Sequence, residues 1–238
     1  MKQTLIYGTT NPAKLKTMQK NLSLLPLEIV GLEEYKGILP DVDESGNNPL
    51  ENARIKALAY FRTIGKLVFS CDSGLFFDGI PAEEQPGVHV RNVGGKRLND
   101  EEMIAYYSAL SAKHGGKLVA KYKNAICLVM SEDKIYEYTG GDLAGDIFYI
   151  VSEPHQKRVK GFPLDCLSVH IETGKYYYDL DDIISGESMK GGFTAFFERT
   201  VCKKATEDEL WDVYDSPQSY RKNSPSQRCK KFEQRTFH

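Results

Sequence analysis

The chain has few cysteines, and their placement excludes the cross-linked classes of small protein. There are five in 238 residues, an odd number, and no pair has the C-x-x-C spacing of a zinc or redox motif. Scattered cysteines of this kind are typical of reduced thiols inside a cell. We therefore expect neither a disulfide framework nor a zinc site, and we expect a cytoplasmic location. The five are Cys71, Cys127, Cys166, Cys202 and Cys229.

Long apolar runs are also missing, and neither sign of charge dominates. No hydrophobic stretch approaches the length that spans a bilayer, and the first residues enter a predicted strand without the apolar segment of a secretory signal. The formal net charge is −2. A balanced charge argues against a dedicated binder of nucleic acid or of membrane surfaces. We expect a soluble protein that binds neither.

What is present is ordinary globular composition, with 41% hydrophobic and 27% charged residues. A chain of this length can form one large domain or two lobes that share a cleft. From residue 203 the sequence becomes polar, with a predicted short acidic helix followed by a basic stretch. The predicted organisation is therefore a folded domain over residues 1–202 and a C-terminal helix and tail over residues 203–238.

The first strand leads into a helix start that suits an anion. Residues 4–7 alternate as a strand, Asn11 is a good N-cap, and Pro12 fits the first helical position. Apolar spacing carries the predicted helix to about Leu24. Free backbone N–H groups and Lys14 would then surround a bound anion. Since the glycines of a Walker A loop are absent, a plain junction with a solvated lysine stays open.

An acidic loop precedes the second helix. Asp41, Asp43 and Glu44 place three carboxylates in four positions, and Asn48 then caps a helix that begins at Pro49. The predicted buried face of that helix comprises Leu50, Ala53, Ala57, Leu58 and Phe61. Such a loop is commonly solvated, but crowded carboxylates also present oxygen ligands to Mg²⁺.

The central stretch is an apolar strand followed by an acid. Residues 66–70 are predicted to form the strand, Asp72 to lie at its mouth, and Gly74 to bend the chain away. An aspartate there faces a cleft without a buried partner, so its replacement should leave thermal stability unchanged. The alternative is an ordinary turn, because Asp-Ser-Gly is common turn chemistry.

The second half of the chain is richer in strands. Asn99 caps a predicted helix, with Glu102 completing a capping box. Strands are then predicted in antiparallel arrangement over residues 118–122, 125–130, 134–139, 146–151, 167–171 and 176–178. The aromatic residues of 193–201 fit a helix or a strand equally well.

Four short stretches, taken in order, resemble a known family. They are Thr9-Thr10-Asn11-Pro12-Ala13-Lys14, Asp43-Glu44-Ser45-Gly46 leading to Glu51-Asn52-Ala53-Arg54-Ile55-Lys56-Ala57, Asp72-Ser73-Gly74-Leu75, and Pro86-Gly87 with Arg91. Together they resemble the Ham1-like inosine/xanthosine triphosphate pyrophosphatases. The resemblance implies an α/β fold, with a long twisted mixed β-sheet flanked by helices and two lobes around a central cleft. It also implies Mg²⁺-dependent hydrolysis of ITP, dITP or XTP to monophosphate and pyrophosphate, usually by a homodimer.

The resemblance also assigns expected roles. Asp72 and Lys14 would be catalytic, and Asp43, Glu44 and Asp72 would bind the metal. The substrate-binding set would comprise Thr9, Thr10, Asn11, Lys14, Ser73, Phe162, Asp165 and Lys190.

The match weakens toward the C-terminus. Leu164 stands where the family has an aromatic residue, and Pro163 replaces a glycine. Ser188-Met189-Lys190-Gly191 replaces a serine-histidine-arginine-glycine string, unless Ser226-Gln227-Arg228 supplies it instead. Cys71 and Ile184 replace an acid and a lysine. The triphosphate end is therefore expected to be kept and the base end altered, which leaves two alternatives: another modified or pyrimidine nucleotide as substrate, or a nucleotide-binding protein that has lost catalysis.

Overall fold

The computed structural model describes residues 2–180 and 187–202, without the side chains of residues 187–190. Within these residues the strands are β1 (Gln3–Tyr7), β2 (Leu27–Val30), β3 (Val68–Phe77), β4 (Asn92–Val93), β5 (Lys96–Arg97), β6 (Lys117–Ser131), β7 (Lys134–Tyr138), β8 (Phe148–Val151) and β9 (Ser168–His170). The helices are α1 (Pro12–Asn21), α2 (Pro49–Ile64), α3 (Asp100–Lys113) and α4 (Glu187–Phe197). Shorter 3-10 turns include Pro163–Leu167 and Tyr177–Asp179.

A mixed sheet of seven strands forms the centre of the fold. Its order is β2-β1-β3-β6-β8-β9, with β7 also paired to β6. β1 is parallel to both β2 and β3, whereas β6 is antiparallel to β3, β7 and β8. β4 and β5 form a separate two-stranded hairpin. The predicted α/β fold with a mixed sheet is confirmed.

Helices cover both faces of the sheet. Ala53 and Ala57 of α2 pack on Ala125 and Cys127 of β6. On the other face, Met18 of α1 and the phenylalanines of α4 pack with Leu5, Phe69 and Ile126. This division follows from strand geometry, because successive residues of β6 point to opposite faces.

One face of β3 contributes to two separate hydrophobic clusters. Phe69 packs in the cluster with α1 and α4, and Leu75 and Phe77 pack with α3 and β8. Asp72 lies between these positions along the strand but points to the other face, toward α2, and pairs with Ala125. The prediction that the strand ends before Asp72 is therefore wrong. Ten residues of β3 pair continuously with β6, so Gly74 continues the strand and does not turn it.

One edge of β3 lacks a neighbouring strand beside Asp72. β1 pairs with β3 only as far as Phe69, where the Gly8 amide donates to the Phe69 carbonyl at 2.8 Å. The next backbone contact along this edge is the Leu75 amide on the Gly87 carbonyl, also at 2.8 Å. Among the described residues no strand pairs with β3 in the interval on this edge.

Helix boundaries largely follow the local signals. Asn11, Asn48 and Asn99 cap α1, α2 and α3, and Asn99 forms a capping box with Glu102. α1 ends at Asn21, one turn short of the predicted Leu24. Residues 193–197 belong to α4, which decides the open choice in favour of helix. The expected strands 118–122 and 125–130 form one continuous strand, and residues 177–179 form a 3-10 turn.

No helix in the described part of the chain is both long enough and apolar enough to cross a membrane.

Candidate active site

Asp72 is a buried acid with two side-chain partners. It is 7% exposed. One carboxylate oxygen accepts a hydrogen bond from Lys56 Nζ at 2.7 Å, and the other accepts from Asn52 Nδ2 at 3.2 Å. The expectation that this acid has no buried partner is therefore wrong. At a strand mouth the carboxylate would have faced a cleft without such partners, whereas the interior of β3 places it under α2.

Lys56 joins Asp72 to the acidic loop. Its ammonium also donates to a Glu44 carboxylate oxygen at 2.9 Å, so one cation bridges two acids. Burial by itself lowers the pKa of Lys56, but the negative charges of Asp72 and Glu44 outweigh burial and the net pKa is raised. A buried ion is tolerated when its donors are satisfied in this way. Lys56 is therefore a fixed positive charge in the site.

The start of α2 sets this geometry. Asn48 caps the helix, and Asn52 and Lys56 then follow at four-residue spacing, which places them on one face. The Asn52 side-chain oxygen accepts from the Gly46 amide at 2.8 Å, so the same residue holds the acidic loop and Asp72. Sequence reasoning missed both residues as site residues. The sequence feature that could have identified them is the presence of two polar side chains on the face of α2 that also contains the small residues Ala53 and Ala57.

The turn of residues 9–14 forms a second part of the site. The Asn11 side-chain oxygen accepts from the amides of Ala13 at 2.9 Å and Lys14 at 3.4 Å, and the Thr9 hydroxyl accepts from the Asn11 amide at 3.2 Å. The predicted cap is confirmed. Thr10 is exposed at the same turn. The cap satisfies two of the first N–H groups of α1 and leaves the positive end of the helix dipole at this turn, which favours a nearby anion.

Lys14 lies beside the Asp72 cluster. Burial lowers the pKa of Lys14, the positive charge of Lys56 lowers it further, and Asp72, Cys71 and Glu44 partly offset this. Among the residues that the structure describes, no carboxylate lies within ion-pair distance of the Lys14 ammonium. Of these two neighbouring lysines, Lys56 forms ion pairs with carboxylates of the described residues and Lys14 forms none with them.

The loop of residues 161–165, called here the 161–165 loop, touches the 9–14 turn directly. Asn11 Nδ2 donates to the Gly161 carbonyl at 3.1 Å. Gly161 has φ of 90°, and a Cβ there would lie 2.7 Å from the Asn11 side-chain oxygen, so only glycine fits. This contact brings together two segments that are 150 positions apart in sequence.

Phe162 and Asp165 are both half-buried within this loop. Burial raises the pKa of Asp165 to about 6. The negative charge of Asp165 acts on the hydroxyls of Tyr122 and Tyr178, and the Tyr178 hydroxyl is buried without a hydrogen-bond partner. Leu164, which replaces an aromatic residue of the family, lies in the core at 3% exposure. The loop therefore offers one ring and one titratable acid to a ligand.

Asp43 and Ser73, which were also expected at the site, lie apart from the cluster of Asp72, Lys56 and Glu44. Asp43 is exposed, and Glu44 is the acid of that loop that reaches Lys56. Ser73 follows Asp72 in β3 and so points to the opposite face of the sheet. Cys71 also lies on that face, where burial raises the pKa of its thiol to about 12. It therefore adds no charge at neutral pH.

Several expected residues lie outside the described part. The backbone of Lys190 belongs to α4, but its side chain is not described, and the same holds for Ser188 and Met189. Ile184 and the alternative string of residues 226–228 lie outside the described residues altogether.

A divalent metal can be tested against the donor set. Within residues 2–180 and 187–202 no three acidic, histidine or cysteine side chains cluster closely enough to hold a metal by themselves. Mg²⁺ typically uses one or two carboxylates together with water and substrate phosphates. Asp72 and Glu44 already converge on one cation, Lys56 Nζ. These two carboxylates are the donor type that Mg²⁺ uses together with a phosphate ligand, and a metal there would share them with Lys56.

The chain is similar to several curated proteins named dITP/XTP pyrophosphatase. One from Anaeromyxobacter sp. is 36% identical over 41% of this chain and 40% of its own length. One from Streptococcus pyogenes is 29% identical over 74% of this chain and 52% of its own length. One from Exiguobacterium sp. is 33% identical over 52% of this chain and 61% of its own length. The chain thus spans about half the length of the curated relatives it matches.

Solved structures share the fold. A Ham1 protein from Coxiella burnetii aligns with a TM-score of 0.62 at 23% identity, over 82% of this chain and 99% of the other. The Staphylococcus aureus Ham1 protein aligns with a TM-score of 0.61 at 20% identity, over 82% and 98%. The model of the Ham1 family matches residues 5–180, which include the 9–14 turn, Asp72 and the 161–165 loop. The chain belongs to the Ham1 family.

Proposed function

We propose that this protein hydrolyses a non-standard purine nucleoside triphosphate, of the ITP, dITP or XTP type, to the monophosphate and pyrophosphate. The observation that carries the proposal is the meeting of three segments. The Asp72–Lys56–Glu44 cluster lies beside the capped start of α1, and that start is bonded to the 161–165 loop. The names of the related curated proteins agree with this assignment.

The triphosphate is assigned to the 9–14 turn. A helix N-terminus attracts negative charge, and the Ala13 and Lys14 amides are held there by Asn11. Lys14 adds a cation that no carboxylate of the described residues neutralises. Because a triphosphate carries several negative charges, a positively charged site of this kind stabilises it in place of water. Thr9 and Thr10 lie within the same turn.

Asp72 is assigned to the reacting water. Lys56 and Asn52 hold its two oxygens, which fixes the carboxylate in one orientation. An ionised carboxylate so held can accept a proton from water or orient it toward a phosphorus atom. Asp72 and Glu44 would hold Mg²⁺, with Asp43 as the residue at the family's metal position. When bound, the metal would neutralise charge on the phosphoryl oxygens.

The base is assigned to the 161–165 loop. Phe162 is half-buried, and its ring is the one assigned to stacking on a base. Asp165 would contact a polar edge of the base, with Lys190 at the rim. Since Leu164 belongs to the core and Lys190 replaces an arginine, the base preference is the part of the proposal that departs most from the family.

The family resemblance also supports a homodimer in the cytoplasm, with catalysis confined to residues 1–202. Light scattering coupled to size-exclusion chromatography would measure a mass near twice 26.9 kDa if the dimer forms. A mass near 26.9 kDa at micromolar concentration would exclude it.

The proposal is tested by measuring pyrophosphate release from a panel of triphosphates. Purified protein is supplied with ITP, dITP, XTP, ATP, GTP, CTP and UTP, with Mg²⁺ or with excess chelator. We expect release from the non-standard purines in the presence of Mg²⁺ only. Equal release in chelator would contradict the metal assignment. Preference for a pyrimidine would establish the alternative substrate class, and no release from any triphosphate would contradict the enzymatic assignment.

A further inference from the structure

Arg91 and Asp100 have no place in the chemistry proposed above, yet they form an ion pair next to the site. Arg91 Nη2 lies 2.9 Å from one Asp100 carboxylate oxygen, and Arg91 Nη1 donates to the Leu98 carbonyl at 3.0 Å. Both side chains are about one-third exposed. An exposed pair of this kind contributes little to stability by itself, so its connections are of more interest than its strength.

The second carboxylate oxygen of Asp100 is hydrogen-bonded to the 161–165 loop. It accepts a hydrogen bond from the Gly161 amide at 3.1 Å. The carbonyl of the same glycine accepts from Asn11 Nδ2, whose side-chain oxygen in turn caps α1. An unbroken series of polar contacts therefore runs from Arg91 through Asp100, Gly161 and Asn11 to the first turn of α1.

Gly161 is the central member of this series. Its amide donates to Asp100 at the start of α3, and its carbonyl accepts from Asn11 in the 9–14 turn. Its φ is 90°, and a Cβ there would lie 2.7 Å from the Asn11 side-chain oxygen. Burial alone would raise the pKa of Asp100, but the Gly161 amide and Arg91 together lower it. Asp100 is therefore ionised at neutral pH, and hydrogen bonds to ionised acceptors are the stronger ones.

We propose that Asp100 is a positioning residue that fixes the 161–165 loop against the 9–14 turn, so that base recognition and triphosphate binding occur in one rigid geometry. The proposal rests on the function assigned above. Phe162 and Asp165 follow Gly161 directly, so movement of Gly161 displaces both. Arg91 acts one step further away, by holding the Asp100 carboxylate toward the glycine.

The test compares Asp100→Asn with Glu102→Gln. Glu102 is two residues away in the first turn of α3, and it too loses a charge and an ion pair, with Lys96 at 2.6 Å. It has no contact with Gly161. Both variants thus change the same helix start, but only Asp100→Asn weakens the contact with the loop.

The first readout is base selectivity. We expect Asp100→Asn to lower the ratio of kcat/KM between the preferred triphosphate and ATP about tenfold, equivalent to ~1.4 kcal/mol. Inhibition by pyrophosphate, which reports only the phosphate end, should change less than twofold. In the double variant of Asp100→Asn and Asp165→Asn, the loss of base selectivity should be smaller than the sum of the losses in the two single variants, because both residues act through one loop. Selectivity equal to that of Glu102→Gln would overturn the proposal.

The second readout does not depend on activity. Amide hydrogen exchange over residues 159–165 should accelerate in Asp100→Asn and stay at the wild-type rate in Glu102→Gln. Unchanged exchange in Asp100→Asn would refute the positioning role even if the wild-type protein hydrolyses no triphosphate. If exchange accelerates in Asp100→Asn but the wild-type protein has no activity, the positioning role of Asp100 is supported and the proposed function is rejected.

Discussion

The ion pair between Asp72 and Lys56 reverses the sequence-based expectation that Asp72 has no buried partner and that its replacement leaves stability unchanged. The two side chains are 10% and 11% exposed. Removing one partner of a buried pair typically costs about 3–5 kcal/mol, because the remaining charge stays desolvated. Here Glu44 keeps one contact with Lys56 at 2.9 Å and is itself 47% exposed, which reduces the penalty. We therefore expect Asp72→Asn to lower the free energy of unfolding by about 2 kcal/mol, between the buried and exposed limits.

The assay is a double-mutant cycle of Asp72→Asn and Lys56→Met, followed by denaturant unfolding. The double variant should lose about 1–2 kcal/mol less than the sum of the single variants, because the two residues share one contact. In a domain of this size a loss of about 2 kcal/mol lowers Tm by roughly 4–8 °C.

The direction of the Lys56 pKa shift decides the pH at which the double-mutant cycle should be measured. The pKa of Lys56 is raised in the folded state, so its stabilising contribution is fully present below the unfolded value of about 10.4 and is lost above it. Measurement at pH 7–8 therefore lies in a flat part of that dependence.

Glu132→Gln is the matched control for this cycle. Glu132 pairs with Arg62 of the same helix, α2, but those side chains are 55% and 61% exposed. Its loss should change stability by less than about 0.5 kcal/mol. If Asp72→Asn were as mild as Glu132→Gln, or if the cycle were additive, the reasoning from burial would be refuted.

Three further changes separate the parts of the site. Lys14→Ala should raise KM for triphosphates at least tenfold, whereas Lys16→Ala, on the exposed side of α1, should not; equal KM values would remove the phosphate assignment. Asp165→Asn should stabilise the fold by about 1 kcal/mol at pH 7.5 and much less at pH 4. The reason is that burial raises the Asp165 pKa from an unfolded value of about 3.9 to about 6, so the cost of its charge in the folded state grows between these two pH values and is complete above the second; the same gain at pH 7.5 and pH 4 would contradict the buried-acid explanation. Gly161→Ala should cost about 1–3 kcal/mol through its φ of 90° and the contact with the Asn11 side chain, while Gly141→Ala, where a Cβ meets nothing within 4 Å, should be nearly neutral.

Local chemistry explains which parts of the fold could be predicted. Caps at Asn11, Asn48 and Asn99 depend on residues within four positions, so the sequence sufficed for each helix start. The length of β3 depends on pairing with β6, about fifty positions away, and the Asp-Ser-Gly string alone favoured a turn. Neighbouring strands overrode that local preference.

In the candidate site, too, features set by nearby residues could be predicted, whereas features set by distant residues could not. Asp72 and Lys14 were predicted as site residues from short motifs, and the structure places them near each other. Asn52 and Lys56 were missed because a helix face next to Ala53 and Ala57 is expected to be apolar. Their burial is explained by Asp72, which pattern analysis of α2 alone does not include.

The most direct test of the central claim is the identity of the products, followed by phosphorus NMR during hydrolysis of dITP with Mg²⁺. Cleavage between the α and β phosphates predicts the monophosphate and pyrophosphate in equal amounts, with no orthophosphate. Asp72→Asn should form the same products at least about a hundredfold more slowly, as loss of a general base typically does. Release of orthophosphate with a diphosphate, or a wild-type rate in Asp72→Asn, would contradict the assignment of this cluster as the catalytic centre of a pyrophosphatase.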